Sequence, residues 1–282
     1  LQIIKDAIKK KKIEPGGTIV EGTAGNTGIG LCLVGNSIGM NSIIVMPRTQ
    51  SNEKKKMLKL CGAELKLVDA LPYKNPGNYI RYSETLAKSI TNKHGVLWAN
   101  QFDNLSNKKS HYLTTGPEIY NQLSQKVDAF ICSIGTGGTI SGVSEFLKEK
   151  NKNILIGLAD PMGSAMHNFY KNGKLKSTGS SITEGIGQGR ITKNLENTVI
   201  DESFQITDIE ALNIVYEMIN KEGLILGGSS GINIMGAVKL GKLIGPNKKI
   251  VTILCDYGTK YESKIFNKKF LKDKELPIPE WL

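Results

Sequence analysis

Short apolar runs alternate with amphipathic segments along the whole chain. Runs such as Ser42–Met46, Ala129–Ile134 and Ile250–Leu254 have the length and the nearly unbroken apolar character of strands buried on both faces of a parallel sheet. Between such runs, Asn52–Leu60 and Asp208–Lys221 carry apolar residues at helical spacing. Strands that alternate with helices predict an α/β fold with largely parallel sheets.

The length of the chain predicts more than one hydrophobic core. A chain of 282 residues is long enough for two lobes, and the polar turn Asn100–Asn104 offers a boundary between them. We therefore expect a smaller α/β lobe over residues 1–102 and a larger one over residues 103–282. Each lobe is predicted to contain a mostly parallel sheet flanked by helices.

Composition and charge exclude several classes of protein. Apolar residues make up 39% of the chain and charged residues 22%, which is ordinary for a globular protein, and no apolar run is long enough to cross a membrane. The net charge of +11 does not indicate a nucleic-acid site, because only three basic residues are arginines: Arg48, Arg81 and Arg190. A lysine-rich solvated surface is the better interpretation.

The cysteines and histidines do not predict a metal site. No pair among the four cysteines and three histidines has metal-ligand spacing, so we expect no bound metal. Cys32, Cys132 and Cys255 lie inside apolar patterns, where cysteine behaves as a small hydrophobic residue. Free cysteines of this kind favour a reducing, cytoplasmic location.

A glycine-rich loop, Gly135-Thr136-Gly137-Gly138-Thr139, stands between the apolar run Ala129–Ile134 and an amphipathic segment. Backbone N–H groups and hydroxyls in such a loop can surround an anion at the N-terminus of a helix. Ile140 stands where a dinucleotide fingerprint needs glycine, and a P-loop would need Gly-Lys-Ser/Thr. The loop therefore predicts a site for a smaller phosphate. The alternative is a tight strand-to-helix turn that binds no ligand.

A second loop of similar composition follows the predicted strand Thr18–Glu21. It reads Gly-Thr-Ala-Gly-Asn-Thr-Gly over residues 22–28 and leads into another apolar helix. Ligands of open α/β sheets bind at the carboxyl ends of strands, where both loops are predicted to lie. Alternatively, Asn26 and Thr27 only cap the helix that follows.

Six motifs in this order resemble the fold-type II pyridoxal-phosphate enzymes, specifically the cysteine synthase (O-acetylserine sulfhydrylase) and cystathionine β-synthase group. The resemblance covers essentially the whole chain and implies a tryptophan-synthase-β-like fold and the cofactor pyridoxal 5′-phosphate. The motifs are Gly-Thr-Ala-Gly-Asn-Thr-Gly at residues 22–28, Asn-Gln-Phe at 100–102, Thr-Thr-Gly-Pro-Glu-Ile at 114–119, Gly-Thr-Gly-Gly-Thr at 135–139, Glu-Gly-Ile-Gly at 184–187 and Gly-Ser-Ser-Gly at 228–231.

The resemblance also implies roles for individual residues. The cofactor phosphate is assigned to Gly135, Thr136, Gly137, Gly138 and Thr139, and the ring hydroxyl to Asn26. The substrate carboxylate and its surroundings are assigned to Thr23, Ala24, Gly25, Thr27, Gln101 and Gly185. Short hydroxyls and N–H groups at a helix N-terminus suit a carboxylate on physical grounds as well.

The chain departs from the family pattern at two of the expected binding positions. Ala24 stands where the family commonly has serine, which removes one hydroxyl from the carboxylate loop. The strand that ends Leu-Pro-Ser-Ser or Leu-Pro-Asp-Ser in the family reads Leu-Cys-Asp-Tyr here, so the partner of the pyridine nitrogen is either Asp256 or Tyr257. An aspartate would strengthen the electron sink of the cofactor.

The largest departure concerns the Schiff-base lysine. In the family it stands in a Ser-Val-Lys-Asp-Arg-like motif just ahead of the helix that here begins at Leu1, and no such motif occurs in these residues. Because the chain also starts with leucine rather than methionine, we expect a fragment whose lysine lies upstream of Leu1. The 282-residue chain by itself is then expected to be inactive.

The function that the resemblance implies for the complete protein is β-replacement on an O-activated serine by sulfide, which yields L-cysteine. Cysteine β-lyase or desulfhydrase activity and cystathionine synthesis remain alternatives, because the loops are common to all of them. A non-catalytic binding protein is a further alternative if the lysine is truly absent. The family also implies a homodimer, and the apolar tail Leu276–Leu282 is expected to pack on its own lobe or on a second subunit.

Overall fold

The computed structural model of the chain describes residues 1–23 and 25–282, which form two compact units, Leu1–Ser106 and Asn107–Leu282. Each unit contains a four-stranded sheet whose paired strands run parallel. This confirms the predicted α/β class with two parallel sheets. The first unit extends to Ser106 because Ser106 Oγ donates to Asp6 Oδ2 at 2.8 Å and Asn104 Nδ2 donates to the Ala99 carbonyl at 3.0 Å.

The first unit has the sheet order β3-β2-β1-β4, with α2 connecting β1 to β2 and α3 connecting β2 to β3. One apolar cluster joins Ile4, Ile19 and Leu31, and a second joins Ile44 to Leu58. The elements are α1 (Gln2–Lys9), β1 (Thr18–Gly22), α2 (Asn26–Ser37), β2 (Asn41–Pro47), α3 (Asn52–Leu60), β3 (Glu64–Val68), α4 (Tyr79–Ser89) and β4 (Val96–Trp98).

The second unit has the sheet order β7-β6-β5-β8. Its largest cluster contains Phe130, Ile140, Leu147 and Ile156, which joins β5, α7 and β6. Its elements are α5 (Ser106–Leu113), which begins at the boundary, α6 (Thr115–Gln122), β5 (Ala129–Cys132), α7 (Gly138–Lys150), β6 (Leu155–Pro161), α8 (Met166–Asn172), β7 (Glu202–Ile206), α9 (Asp208–Glu222), α10 (Gly228–Ile244), β8 (Ile250–Val251) and α11 (Lys268–Asp273).

The last predicted strand is shorter than the sequence indicated. Its apolar run extends from Ile250 to Leu254, but β8 ends at Val251, because only two residues pair with β5. Cys255 lies beyond β8 and is exposed, so the expectation that it behaves as a small hydrophobic residue in an apolar pattern is wrong. Cys32 and Cys132 are buried as predicted.

The C-terminal tail packs on the second unit. The Trp281 ring lies edge to face with Tyr216 of α9, with 5.8 Å between the ring centroids. Leu276 and Leu282 pack against the cluster that contains Tyr216 and Leu271. Of the two partners expected for the tail, its own lobe or a second subunit, the structure shows packing on its own lobe. In the described part of the chain, no helix has both the length and the apolar character that a bilayer requires.

Candidate functional site

The loop between β5 and α7 has the backbone of an anion-binding turn. Gly137 is the N-cap of α7 and has a φ of +85°, a left-handed conformation that favours glycine. Gly137 has no side chain with which to cap α7, so the first N–H groups of the helix attract an anion, apart from the Gly138 N–H, which donates to Thr136 Oγ1. The turn is therefore open where a phosphate would bind.

The glycines of this loop are also required by close packing. A Cβ atom on Gly137 would lie 2.4 Å from Leu195 Cγ, and one on Gly138 would lie 2.2 Å from Asn107 Oδ1. A Cβ on Gly135 would lie 2.4 Å from the Gly185 carbonyl oxygen. Leu195, Asn107 and Gly185 thus pack directly against the loop, and a side chain at any of these glycine positions would displace it.

The Thr136 hydroxyl is oriented by its neighbours. Its oxygen accepts hydrogen bonds from Asn107 Nδ2 at 2.9 Å and from the Gly138 N–H at 3.3 Å. A hydroxyl has one proton to donate and two lone pairs, so both lone pairs are used and the proton remains. No acceptor for that proton is found in the described part of the chain, which leaves it for a phosphate oxygen. The Thr192 hydroxyl also donates a hydrogen bond to the Thr136 carbonyl at 2.7 Å, which holds the backbone of the same residue.

The second threonine of the loop, Thr139, contacts a histidine. Its Oγ1 lies 3.2 Å from His111 Nε2, and His111 Nδ1 lies 2.9 Å from Thr115 Oγ1. Burial lowers the pKa of His111, so the ring is neutral near pH 7. The tautomer with hydrogen on Nε2 donates to Thr139 and leaves the threonine proton free for a ligand.

The Glu184–Gly187 segment packs against the phosphate loop. The Gly187 N–H donates to the Ile134 carbonyl at 2.9 Å, and Gln188 Nε2 donates to the Gly135 carbonyl at 3.0 Å. Gly185 has a φ of +82° and open space where a Cβ would stand. The Glu184 carboxylate forms an ion pair with Lys264. These contacts bring the predicted residue Gly185 next to the predicted phosphate loop.

The two residues predicted near the pyridine nitrogen have different surroundings. The Asp256 side chain is only 2% exposed, accepts from the Tyr261 hydroxyl at 2.9 Å and lies 3.9 Å from Lys260 Nζ. The Tyr257 side chain is 73% exposed. Asp256 is therefore held inside the second unit, whereas Tyr257 is accessible.

The predicted carboxylate loop lies at the carboxyl end of β1 in the first unit. Thr23 is buried, and its Oγ1 accepts from the Gly25 N–H at 3.1 Å. The helix α2 begins at Asn26, and its N-cap is Gly25, which has no side chain. Neither Asn26 nor Thr27 is therefore the N-cap residue of this helix. Ala24 lies outside the described residues.

Gln101 ties the end of the sheet to α2. Its Oε1 accepts from the Thr27 hydroxyl at 2.6 Å, and its Nε2 donates to the Gly22 carbonyl at 3.2 Å. The Gln101 N–H donates to Glu21 Oε2 at 3.3 Å. The structure thus brings together Thr27 and Gln101, which are 74 residues apart in the chain.

The supporting residues were not found from the sequence. Glu21, Asn107 and His111 carry no motif of their own, and each contacts a loop residue far away in the chain. The sequence offered one signal, and it concerned Glu21. An acid follows the apolar residues of a predicted strand and stands directly before a glycine-rich loop, where burial of a carboxyl is unusual.

The comparisons with known proteins agree with this geometry. A model of the pyridoxal-phosphate-dependent enzyme family matches residues 1–256. The chain belongs to this family. Cysteine synthase 1 of Neurospora crassa is 45% identical over 289 residues, which cover 100% of this chain and 76% of that protein. Cysteine synthase 1 of Emericella nidulans is 44% identical over 289 residues, with 100% and 77% covered.

A solved structure extends the likeness to the fold. The crystal structure of the O-acetylserine-dependent cystathionine β-synthase from Helicobacter pylori matches with a TM-score of 0.85 and 32% identity, over 93% of this chain and 82% of that chain. The cofactor of the family, pyridoxal phosphate, carries one phosphate group. The N-terminus of α7 and the Thr136 proton fit such a group. The predictions of family and cofactor are confirmed.

Proposed function

We propose that the protein forms L-cysteine from an O-activated serine and sulfide, with pyridoxal phosphate as its cofactor. The observation that carries the proposal is the phosphate loop at α7 in a chain that is 45% identical to a cysteine synthase over its whole length. When bound, pyridoxal phosphate supplies an electron sink for charge at the α-carbon of the amino acid. The residues of this chain bind and orient the reactants.

The roles of the residues divide between cofactor and substrate. Gly135–Thr139 hold the phosphate through backbone N–H groups and hydroxyls, and Asn26 contacts the ring hydroxyl. The partner of the pyridine nitrogen is Asp256 or Tyr257. The N-terminus of α2 supports carboxylate binding there, because the dipole of a helix attracts an anion at that end. The residues assigned to the substrate are Thr23, Ala24, Gly25, Thr27, Gln101 and Gly185.

A product assay tests the reaction. The full-length protein is supplied with O-acetylserine and sulfide, with serine and homocysteine, or with cysteine alone, and the products are separated by chromatography. We expect cysteine from the first mixture at the highest rate. Cystathionine from the second mixture would favour cystathionine synthesis, and release of sulfide from cysteine would favour a lyase.

The covalent link to the cofactor is a separate proposal. No lysine in these residues stands in a Ser-x-Lys-Asp-Arg context, so we propose that the lysine that bonds the cofactor is not among them. Reduction of the cofactor-loaded full-length protein with borohydride, followed by digestion, identifies the labelled lysine. A single stoichiometric label within residues 1–282 would contradict this proposal and the expected inactivity of the chain.

The assembly and location are also proposals. We propose a homodimer in the cytoplasm, and the four cysteines, which are all free in the structure, support a reducing compartment. Light scattering of the full-length protein tests the dimer, since it gives the mass directly. A monomer mass at all concentrations would contradict it.

A further inference from the structure

Glu21 is an acid buried at the edge of the predicted substrate site. It lies one residue before the end of β1, is 1% exposed and stands opposite Ile44 in the sheet. Gly22, on the other face, packs against α4, so the Glu21 side chain lies on the face with Ile19. A carboxylate in such surroundings is costly unless it is paired or protonated.

The contacts of Glu21 lead to one residue of the predicted carboxylate site. Its Oε2 accepts from the Gln101 N–H, and the Gln101 side chain in turn bonds to Gly22 and to Thr27. Asn100, directly before Gln101, has a φ of +48°, so the turn is held in a conformation that is uncommon outside glycine. Glu21 thus fixes the peptide that points Gln101 towards Thr27.

Two buried oxygen atoms in this turn lack a hydrogen-bond donor. Glu21 Oε1 and Asn100 Oδ1 have no partner in the described part of the chain. An ionised carboxylate only accepts hydrogen bonds, whereas a carboxylic acid also donates one. Burial raises the pKa of Glu21 to about 8, against the opposing effect of hydrogen bonds from Gln101, Asn100 and Gly22.

In the described part of the chain, burial and hydrogen bonds act on the Glu21 carboxyl, and no charged group is found among these influences. The flanking strands β2 and β4 carry no ionisable side chain, and the one on α2, Cys32, packs with Ile44. On α1, Asp6 is engaged by Ser106 and Gln2. Lys54 of α3 lies against Gly25, and its aliphatic carbons make that contact.

We propose that Glu21 is a positioning residue that holds Gln101 as a neutral carboxylic acid and thereby keeps negative charge away from the substrate carboxylate. The inference rests on the proposed function, in which Thr27 and Gln101 receive that carboxylate. Ionisation of Glu21 places a second negative charge behind the same loop, where it repels the substrate and weakens the grip on Gln101.

The substitution Glu21→Gln tests the inference, because an amide stays neutral at every pH, keeps one acceptor oxygen and replaces the O–H donor of the acid with an NH2 group. The dissociation constant of L-serine is measured by calorimetry between pH 6 and pH 9 with the cofactor-loaded full-length protein, so that turnover is not required. The amino group of serine titrates in the same way with the wild type and with Glu21→Gln. The ratio of the wild-type dissociation constant to that of the variant therefore reports only the ionisation of Glu21. We expect a ratio near one at pH 6 and weaker binding by the wild type, about tenfold, at pH 9.

A stability measurement provides an independent reading. The folded protein keeps the proton on Glu21 up to a pH of about 8, whereas the unfolded chain releases it above its ordinary pKa of 4.5. Stability of the wild type therefore falls as pH rises through this range, and Glu21→Gln lacks that loss. The urea midpoints of the wild type and Glu21→Gln are therefore expected to diverge as the pH rises from 4.5 to about 8. Glu64→Gln, at an exposed side chain, is the control and should follow the wild type.

The outcomes are distinct for the inference and for the proposed function. Serine affinities and urea midpoints that change in parallel for wild type and Glu21→Gln would show that Glu21 is ionised throughout and overturn the inference. Absence of serine binding at every pH would overturn the carboxylate site and the inference together. Normal, Glu21-dependent serine binding without cysteine formation would contradict only the proposed reaction.

Discussion

At the residue scale, the predicted phosphate loop accepts no side chain at Gly137. A Cβ there would collide with Leu195, and Gly137 has a φ of +85°. Gly137→Ala is therefore expected to abolish cofactor retention, because strain and collision displace the loop even without an added charge.

Cofactor absorbance after gel filtration measures this effect in the full-length protein. Gly189→Ala is the matched control, because no atom lies within 4 Å of a Cβ there and Gly189 is not among the glycines with positive φ. Retention of the cofactor by Gly137→Ala, with both variants folded, would argue against the assignment of the loop to the phosphate.

Asp256 and Tyr257 are adjacent in sequence but differ in what they support. Asp256→Asn removes the anion that Tyr261 and Lys260 contact, so we expect a loss of about 1–3 kcal/mol in the free energy of unfolding. Tyr257→Phe, at an exposed side chain, should change it by less than about 0.5 kcal/mol.

Urea unfolding gives both free energies, and the absorbance spectrum of the bound cofactor identifies which residue contacts the pyridine nitrogen. A shifted spectrum in Tyr257→Phe with an unchanged one in Asp256→Asn would assign the contact to Tyr257. Equal stabilities of the two variants would contradict the structural role that we give to Asp256.

At the scale of elements, strong periodicity predicted well and weak periodicity did not. The helices α3 and α9 and the strand β5 were found from the pattern of apolar residues alone. The strand β7 was missed, because it is an edge strand in which only Ile206 is fully buried. The helix α5 was missed because it is mostly polar and buries only Ser106.

Helix α9 begins with a capping box. Thr207 accepts from the Glu210 N–H at 3.2 Å, and Glu210 accepts from the Thr207 N–H at 2.9 Å. Thr207→Ala is expected to lower the free energy of unfolding by about 1 kcal/mol, because a first-turn N–H loses its acceptor. Thr85→Ala, inside the exposed face of α4, is the control and should be neutral or stabilising. Equal urea midpoints for Thr207→Ala and the wild type would contradict the role of the box.

At the scale of the whole molecule, the loops of the site were predictable but their support was not. The glycine and threonine positions follow from local requirements of a turn before a helix, which a sequence displays directly. Asn107, His111 and Glu21 act through contacts with residues that only folding brings near them. Because these residues lie far along the chain from the residues they contact, sequence patterns could not predict their roles.

The C-terminal tail, Leu276–Leu282, contributes to the stability of the second unit through its packing. Trp281 is 48% exposed and meets Tyr216 edge to face, while the Tyr216 hydroxyl donates to the Ile265 carbonyl at 2.7 Å. Half-burial of an indole together with one aromatic pair is worth about 1–2 kcal/mol. Trp281→Ala is expected to lower the free energy of unfolding of the full-length protein by that amount, and the exposed Glu280→Ala should leave it unchanged.

Because the tail docks on its own unit, the loss measured by urea unfolding should not depend on protein concentration. A loss that disappears on dilution would instead place Trp281 against a second subunit.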